Sequence, residues 1–597
     1  MDESEVNKYF EMDFLKLIKK VNKFKKNINF EKYSLKVALI GTGSLQFFAD
    51  ILQYELYLNG IETDIFIGTY NGLEVDVLDC KSDFYKFKAD ITIIFSHYRE
   101  VKDFPDLFSN YAEMCKMVKN KVKHLATFWE KIHYATGSQV FQTNYVIPLE
   151  RQLGNLESNY AWSHQSFLQS INWEMMCLKP GYVTIIDFEY LASYMGKRRW
   201  FDNKNYYLNK CNMSYDCLPL ASKEILMNIL NCRGFTKKCI VLDLDNTLWG
   251  GTLEERGIKG INLDPNDPVG EAFIYFQKYL KMLKDRGVIL AVCSKNDEQY
   301  AKRVFTENSN MILKLEDISC FIANWSEKHI NVKRIADTLN LGLSSFVFVD
   351  DNKVERELIK STLPDVEVVD IGDDPSEYVT KIESGMYFEW LQVTEEDLLR
   401  TETYSNQFII NEDSDADAIL YDDYLTALNM TAQIGELDCF TIPRIVQLFN
   451  KTNQFNSTGY RCTEGNIADA KEKGKNIYWC RLSDRYNKYG IVSCFIVDFN
   501  KRECVIEAWC MSCRVFKRGL EQLIINYLIE EAIKRGCSTL NFLYTKTERN
   551  HLVKEVLLSC GMFKKEVSDN TESFLFDIEK HEKLPNFISL INEEVYE

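Results

Sequence analysis

Apolar and polar positions fall into two alternating patterns along the first 200 residues. Short runs rich in β-branched and aromatic side chains, KVALIG (36–41), IETDIFIG (61–68), DITIIFS (90–96), VFQTNYVI (140–147) and VTIIDF (183–188), have the length and composition of strands. Between them lie stretches with apolar residues at helical spacing, such as LQFFADILQYELYLNG (45–60). Strands alternating with helices predict a parallel sheet with crossover connections. A second series begins at Cys239 and includes VILAVCSKN (288–296) and FVFVDDN (346–352), separated by amphipathic segments such as GEAFIYFQKYLKMLKDRG (270–287). It predicts a separate α/β domain. Further on, VSCFIVDF (492–499) and CVIEAWCMSC (504–513) read as neighbouring antiparallel strands, followed by a helix over 518–536 and the strand TLNFLY (539–544). That pattern predicts a compact α+β module. The acidic stretch NEDSDADA (411–418) reads as an exposed linker or loop, because mutually repelling carboxylates are costly to pack. The expected organisation is an N-terminal domain over 1–205, connecting helices over 206–235, a central domain over 236–395 and a C-terminal domain over 396–597.

Composition agrees with several packed cores. The chain has 597 residues, 46% of them hydrophobic and 27% charged. With 88 acidic against 71 basic residues the net charge is −17, so the overall field repels nucleic acid and anionic membrane, and neither is an expected partner. The start, MDESEVNKYFEMDF, lacks a basic region followed by an apolar one, and no stretch approaches the ~18 apolar residues of a membrane span. A soluble, cytoplasmic protein is the expectation. The 18 cysteines form no disulfide framework or zinc spacing, and read as reduced thiols.

Chemistry enters at KKCIVLDLDNTLWGG (237–251), where a buried-strand pattern runs straight into Asp243 and Asp245. The carboxyl edge of a parallel strand is where open sheets bind ligands. Two carboxylates there repel each other unless a cation or a shared proton lies between them, and Mg²⁺ is the economical solution. Either both side chains turn into one crevice, or one residue offers the metal its backbone carbonyl while its side chain handles a proton. Companions follow at other strand ends. VILAVCSKN ends in the hydroxyl of Ser294, ANWSEKHINVKRIADTLNL puts Lys328 at a helix start, and FVFVDDN ends in Asp350 and Asp351. Each alone is explained by a helix cap or a solvated loop carboxylate. Together, in this order, they describe a phosphoryl-transfer site without histidine.

The order Asp-x-Asp-x-Thr, Ser, Lys, Asp-Asp resembles the four motifs of the haloacid dehalogenase (HAD) superfamily. The resemblance implies Asp243 as nucleophile, Asp245 as general acid/base, Thr247 orienting Asp245, and Ser294 and Lys328 holding phosphoryl oxygens. Asp243, Asp245, Asp350 and Asp351 would form the Mg²⁺ site. Fifty residues separate Asp243 from Ser294, too few for a large cap domain, so an open site is expected. VLDLDNTLWGG, AVCSKNDE, NWSEKHINVKRIA, FVDDNKVERE, RIVQLFNKTNQFNSTGYR and CMSCRVFKRGLE together are similar to the FkbH-like branch of subfamily IIIC. That family implies removal of the acyl phosphate of a substrate such as 1,3-bisphosphoglycerate, and transfer of the glyceryl or a related acyl group to the phosphopantetheine of an acyl carrier protein, for polyketide, other secondary-metabolite or polysaccharide biosynthesis. A plain capless phosphatase acting on a sugar or macromolecule and a non-catalytic scaffold are the competing readings.

The C-terminal module resembles the GNAT acyltransferase fold, in which a strand splays from its neighbour and a turn and helix start hold a pantetheine arm. MSCRVFKRGLEQ (511–522) occupies that place, giving Arg514, Lys517, Arg518 and Gly519 as candidate phosphate ligands. The single glycine departs from the usual pair and favours a carrier-tethered pantetheine over free acetyl-CoA. KTNQFNSTGYR (451–461), with Lys451, reads as the lining of an acyl pocket or as a surface loop. Because attack on phosphorus would release a free acid, acyl transfer calls for a thiol. Cys513, beside Arg514, is the first candidate, and Cys293 the second, although strand alternation turns Cys293 toward the core. At the N-terminus, ALIGTGSLQFF (38–48) resembles the first block of SGNH hydrolases, but His164 has no aspartate three residues before it, so Ser44 reads as a helix cap as readily as a nucleophile. The fold expected overall is α/β: a Rossmann-like (SGNH or flavodoxin-like) parallel-sheet domain, a capless HAD Rossmannoid domain and a GNAT-like α+β domain.

Overall fold

In the computed structural model of the protein, which describes residues 14–27, 34–390 and 425–591 apart from 427, 486–487, 501, 513–514, 517, 548, 569–570 and 579–582, the five N-terminal apolar runs form one parallel sheet. Its strands are β1 (Leu35–Gly41), β2 (Thr63–Ile67), β3 (Ile91–Phe95), β4 (Gln139–Thr143) and β5 (Val183–Ile186), in the order β2-β1-β3-β4-β5. This is the flavodoxin-like order, with its reversal at β1. Four strands, β2 to β5, are shorter than their apolar runs, and side chains end two of them. β4 stops at Thr143 because the Asn144 side chain donates to Asp187 (2.7 Å), and β5 stops at Ile186 because Asp187 caps the helix Phe188–Met195, accepting from the Tyr190 amide. The acidic stretch 411–418 lies outside the described residues.

Contacts divide the chain into two units, Met1–Ile229 with Thr463–Asp469, and Leu230–Cys462 with Ala470–Glu597. Within the first, the helix Gln46–Leu58 buries Glu55, which accepts a hydrogen bond from Ser222 Oγ (2.5 Å). Burial pushes the Glu55 carboxyl up to about 8, against the opposing pull of Ser222 and Lys223. A carboxyl raised in the folded state binds a proton that the unfolded chain releases. Its stabilising contribution is therefore complete below about pH 4.5 and is lost as pH rises through 8. Glu55→Gln is expected to abolish that loss, raising stability at pH 8.5 by roughly 1–3 kcal/mol while changing little at pH 5. Chemical denaturation at the two pH values checks this; equal wild-type and variant stability at pH 8.5 would contradict it.

The second unit holds two sheets. In the first, β6 (Cys239–Leu242), β7 (Ile289–Ser294), β8 (Ile318–Ala323), β9 (Phe346–Val349) and β10 (Glu367–Val369) run parallel in the order β10-β9-β6-β7-β8. Every side chain of β6, β7 and β9 is buried, as expected of strands covered on both faces. The β6–β7 connection forms the helices Leu253–Gly260 and Pro268–Asp285. Their Leu253, Ile258, Phe273, Phe276 and Leu280 pack into the same core as Ile240 and Leu242. The connection is thus part of the domain body, and no cap domain is inserted there.

The remaining strands, β11 (Met430–Glu436), β12 (Asn476–Ser483), β13 (Lys488–Asn500), β14 (Glu503–Met511), β15 (Thr539–Thr545), β16 (Phe563–Ser568), β17 (Thr571–Asp577) and β18 (Ile588–Leu590), form a mixed sheet ordered β16-β17-β15-β14-β13-β12-β11-β18. β14 and β15 are parallel, joined through the helix Leu520–Lys534, and pair only from Glu503 to Ile506 on β14. Beyond Ile506 they separate, giving the splayed pair expected of a GNAT-like module.

Candidate active site

Four chain segments converge on the carboxyl edge of the central sheet. Asp243 follows β6 and donates its amide to Val349 O of β9 (3.0 Å), so the last residues of the two strands hold it in place. Asp350 and Asp351 follow β9, Ser294 ends β7, and Lys328 opens the helix Lys328–Thr338 after β8. Ligand oxygens of Asp243, Asp350 and Asp351 all lie within 4.8 Å of one another.

Lys328 is the counter-charge. Its side chain is 4% exposed, and Nζ lies 2.6 Å from Asp350 Oδ2 and 3.0 Å from Asp243 Oδ1. The Asp350 contact is a hydrogen bond; that to Asp243 is an ion pair without hydrogen-bond alignment, and among the described residues Asp243 Oδ1 has no other partner. Burial works against the ammonium, but Asp243 and Asp350 outweigh it and hold Lys328 charged well above the usual lysine range. One cation cannot balance three carboxylates. Burial first, and then the Asp243 charge, push Asp350 up to about 7 and Asp351 to about 6, despite the opposing field of Lys328. Hard oxygen donors with excess negative charge and a buried oxygen lacking a donor fit a small divalent cation.

Asp245 is differently placed. Its Oδ1 accepts from Trp249 Nε1 (2.9 Å) and the Leu253 amide (3.0 Å), and its Oδ2 accepts from Asn296 Nδ2 (3.1 Å). Its carboxylate is not in the three-aspartate cluster, which leaves its backbone carbonyl as the group it could offer a metal. Burial raises its pKa against these hydrogen bonds. Thr247, expected to orient Asp245, instead accepts from the Asp351 amide (3.2 Å), and three other groups orient Asp245. Asn296 also donates to Ser294 Oγ (3.2 Å), tying the first and second motifs together. Arg356 donates to the carbonyls of Asp350 (2.8 Å) and Asp351 (2.5 Å) and fixes their turn. Asn296 left only a weak sign along the chain, two residues beyond Ser294 in a strand-end tripeptide, and Arg356 left none, since its role depends on the turn closing back onto its helix.

The two candidate thiols fare differently. Cys293 sits among Val241, Ala291, Val332 and Phe348, its Sγ 3.7 Å from Lys328 O, and burial drives its thiol far above the ordinary range. Burial therefore disfavours its thiolate. Cys513, Arg514 and Lys517 lie outside the described residues. Arg518 is turned inward: its guanidinium pairs with Asp484 (2.9 Å) and donates to Tyr489 OH (2.7 Å), so the expected phosphate ligand is an internal tie. Gly519, at φ +89°, begins the helix Leu520–Lys534.

The splay itself is filled by the chain. Phe455, Asn456 and Ser457, read in sequence as a pocket lining or a surface loop, are buried between β14 and β15. Ser457 N donates to Trp509 O (2.8 Å), Met511 N to Phe455 O (3.0 Å) and Thr545 N to Ser457 O (2.9 Å). Asn550 Nδ2 closes the insert from the far side by donating to Asn456 O (2.9 Å). The strand edge that an extended pantetheine would pair with is therefore satisfied internally.

In the N-terminal domain Ser44 is exposed, and its amide donates to Lys210 O (2.9 Å). Leu45, rather than Ser44, precedes the helix Gln46–Leu58, so Ser44 is not its cap. His164 stacks on Phe104 at the start of another helix (centroids 4.2 Å apart), and no Ser–His pair forms.

Residues 36–231 match the family model described as FkbH, N-terminal domain. The crystal structure of the N-terminal part of protein BF1531 from Bacteroides fragilis, containing a phosphatase domain complexed with Mg, is 31% identical, with 63% of this chain and 99% of that one covered at a TM-score of 0.58. The chain belongs to the FkbH-like family. The ribosomal-protein-S18-alanine N-acetyltransferase from Escherichia coli matches 28% of this chain and 99% of its own at 14% identity and a TM-score of 0.20. No curated protein sequence matches the chain. Among the described residues, no helix of this FkbH-like protein is long and apolar enough to cross a membrane.

Proposed function

We propose that the central domain is a Mg²⁺-dependent phosphoryl-transfer site, and that the protein moves the acyl group of an acyl phosphate such as 1,3-bisphosphoglycerate onto the phosphopantetheine thiol of an acyl carrier protein. The phosphoryl-transfer reading rests on one observation, the buried Lys328 set between Asp243 and Asp350 with Asp351 alongside. Asp243 attacks phosphorus, and Ser294 and Lys328 hold the phosphoryl oxygens as negative charge builds on them. Asp245, with a raised pKa and both oxygens aligned by donors, protonates the leaving oxygen and then takes a proton from water. Asp243, Asp350 and Asp351 would hold Mg²⁺, as the phosphatase domain of the Bacteroides fragilis relative is complexed with Mg. A cation held there would screen the anionic nucleophile from its anionic target.

Acyl transfer takes a different bond. A thiol attacks the carbonyl carbon, a C–S bond forms, the C–O bond to phosphate breaks with its electron pair leaving on phosphate, and the thiol proton passes to Asp245. Cys293 is too deeply buried to supply that thiol. Ser512, the residue before Cys513, lines a cavity together with Lys238, which precedes β6, whereas Asp243 follows β6. Five residue steps along β6 separate Lys238 from Asp243, roughly 16 Å at ~3.3 Å per residue. A carrier's own thiol, entering at an edge with no inserted cap domain, meets the substrate without that crossing. Incubating the protein with Mg²⁺, 1,3-bisphosphoglycerate and a holo carrier protein, then weighing the carrier, tests this. Thiol attack leaves the second phosphate on the acyl group, and attack of Asp243 on that phosphorus removes it, so an added glyceryl mass is expected in wild type and in both Cys293→Ala and Cys513→Ala. Phosphate release without carrier gain would leave a plain phosphatase, and no release across a panel of acyl and sugar phosphates would leave a scaffold.

A further inference from the structure

The helix Phe14–Asn27, FLKLIKKVNKFKKN, carries six lysines and no acid in a chain whose net charge is −17. Its apolar side faces the N-terminal domain. Leu17 and Val21 are fully buried, Phe14 stacks on Tyr215 (centroids 4.7 Å apart), and Phe24 packs on Tyr54 (5.2 Å) and Tyr57 (4.9 Å). On the outer side Lys25 pairs with Asp50 (2.7 Å). Lys16, Lys19, Lys23 and Lys26 are exposed, and among the described residues no carboxylate pairs with any of them. Their spacing of three, four and three residues places all four within an arc of about 80° at ~3.6 residues per turn, along roughly 15 Å of helix. Successive members of such a row have Cβ atoms about 5–6 Å apart. Like charges at that spacing oppose the helix, so burial of the apolar side holds in place a row that its own charges disfavour. Leu15, four residues before Lys19 and 64% exposed, stands beside the row.

We propose that this lysine row is the docking surface for the acyl carrier protein of the proposed reaction, met by an acidic helix of the carrier with carboxylates at matching three- and four-residue spacing. The inference rests on the carrier reading above. Charge and burial favour an acidic protein over the other polyanions. A helix that lies on a membrane buries its apolar side in the lipid, and here that side is committed to the domain. A nucleic acid is held through many phosphate contacts along its length, and an extended polyanion runs off so short a row onto a surface whose net charge repels it. A compact partner is treated differently. Exposed charges more than about 8 Å apart are largely screened at physiological salt, so a partner confined to the row meets its local positive field and little of the repulsion from the rest of the chain. Leu15 adds an apolar contact next to the charged ones, the mixture typical of protein interfaces.

Fluorescence anisotropy of a labelled holo acyl carrier protein of net negative charge, titrated with the full-length protein, tests the surface. A quadruple variant with Lys16→Gln, Lys19→Gln, Lys23→Gln and Lys26→Gln is expected to bind at least ~10-fold more weakly at low salt, and the difference from wild type to shrink as salt is raised. Arginine at the same four positions should keep the binding, because the charge is kept. Circular dichroism, together with unchanged phosphate release from acetyl phosphate in the absence of carrier, separates lost docking from lost folding. Equal carrier binding by wild type and the glutamine variant, with glyceryl transfer intact in both, would overturn the docking surface and leave the carrier reading standing. No glyceryl gain on the carrier with wild type would overturn that reading and the docking proposal with it. Lysine-dependent binding to mixed phosphatidylcholine and phosphatidylserine vesicles, or to duplex DNA, that is tighter than binding to the carrier would overturn the choice of an acidic protein.

Discussion

Replacing Asp243 with asparagine is expected to lower Mg²⁺-dependent phosphate release by at least ~10³-fold, a barrier increase of about 4 kcal/mol. The amide keeps the shape of the side chain and its place after β6, where the main chain is tied to Val349. It loses the attacking charge. The variant also relieves one of three mutually repelling carboxylates, so in chelator it should melt no lower than wild type, while its stabilisation by added Mg²⁺ shrinks. This pairing separates a chemical role from a folding role. Retention of more than about a tenth of the wild-type rate, a loss below ~1.4 kcal/mol, would remove Asp243 as nucleophile.

Lys328→Met should have the largest combined effect on stability and activity. The methionine fills much the same volume but leaves Asp243 and Asp350 facing each other without a cation in a site where Asp350 is fully buried. Removing one partner of a buried ion pair typically costs about 3–5 kcal/mol. Without Lys328 the carboxylates are pushed further above their unfolded values. The folded variant then binds protons the unfolded chain releases, and its stability falls as pH rises from about 5 to 8. Denaturation in chelator at both pH values should show a larger deficit at the higher one. Phosphate release should be lost at either pH, because no ammonium remains to hold the phosphoryl oxygens. A variant as stable as wild type at pH 8 would mean that the aspartates do not depend on Lys328 for their balance.

Much of the candidate site was legible in the chain because each motif marks a strand end. Apolar runs of four to six residues terminating in Asp243, Ser294 and Asp350 specify buried parallel strands, and parallel strands bring their carboxyl ends to one edge. Local composition therefore carried the residues together without any long-range information. The same holds for the N-terminal sheet, whose five runs all appear in the fold, β2 and β3 a little shortened and β4 and β5 ended by Asn144 and Asp187.

What lay beyond the sequence depended on side-chain direction and on partners distant along the chain. Asp243 and Asp245 share one motif, yet the first faces Lys328 and the second turns to Trp249, Leu253 and Asn296, because the chain bends into a turn at Asn246 (φ +53°). Nothing in an Asp-x-Asp spacing separates those outcomes. Arg518 read as a phosphate ligand from its place before a helix, but Asp484, 34 positions earlier, claims it. Phe455–Ser457 read as part of a pocket lining or of a surface loop. Its buried role exists only because β14 and β15 diverge and leave Trp509 O, Met511 N and Thr545 N without strand partners. Backbone groups in a buried wedge must be satisfied, and the tertiary arrangement, not the local pattern, chose which segment satisfies them. The chain by itself thus determined which elements form and which residues stand at their ends; only the packed structure decided which charges meet, since burial and repulsion act between positions that the sequence keeps far apart.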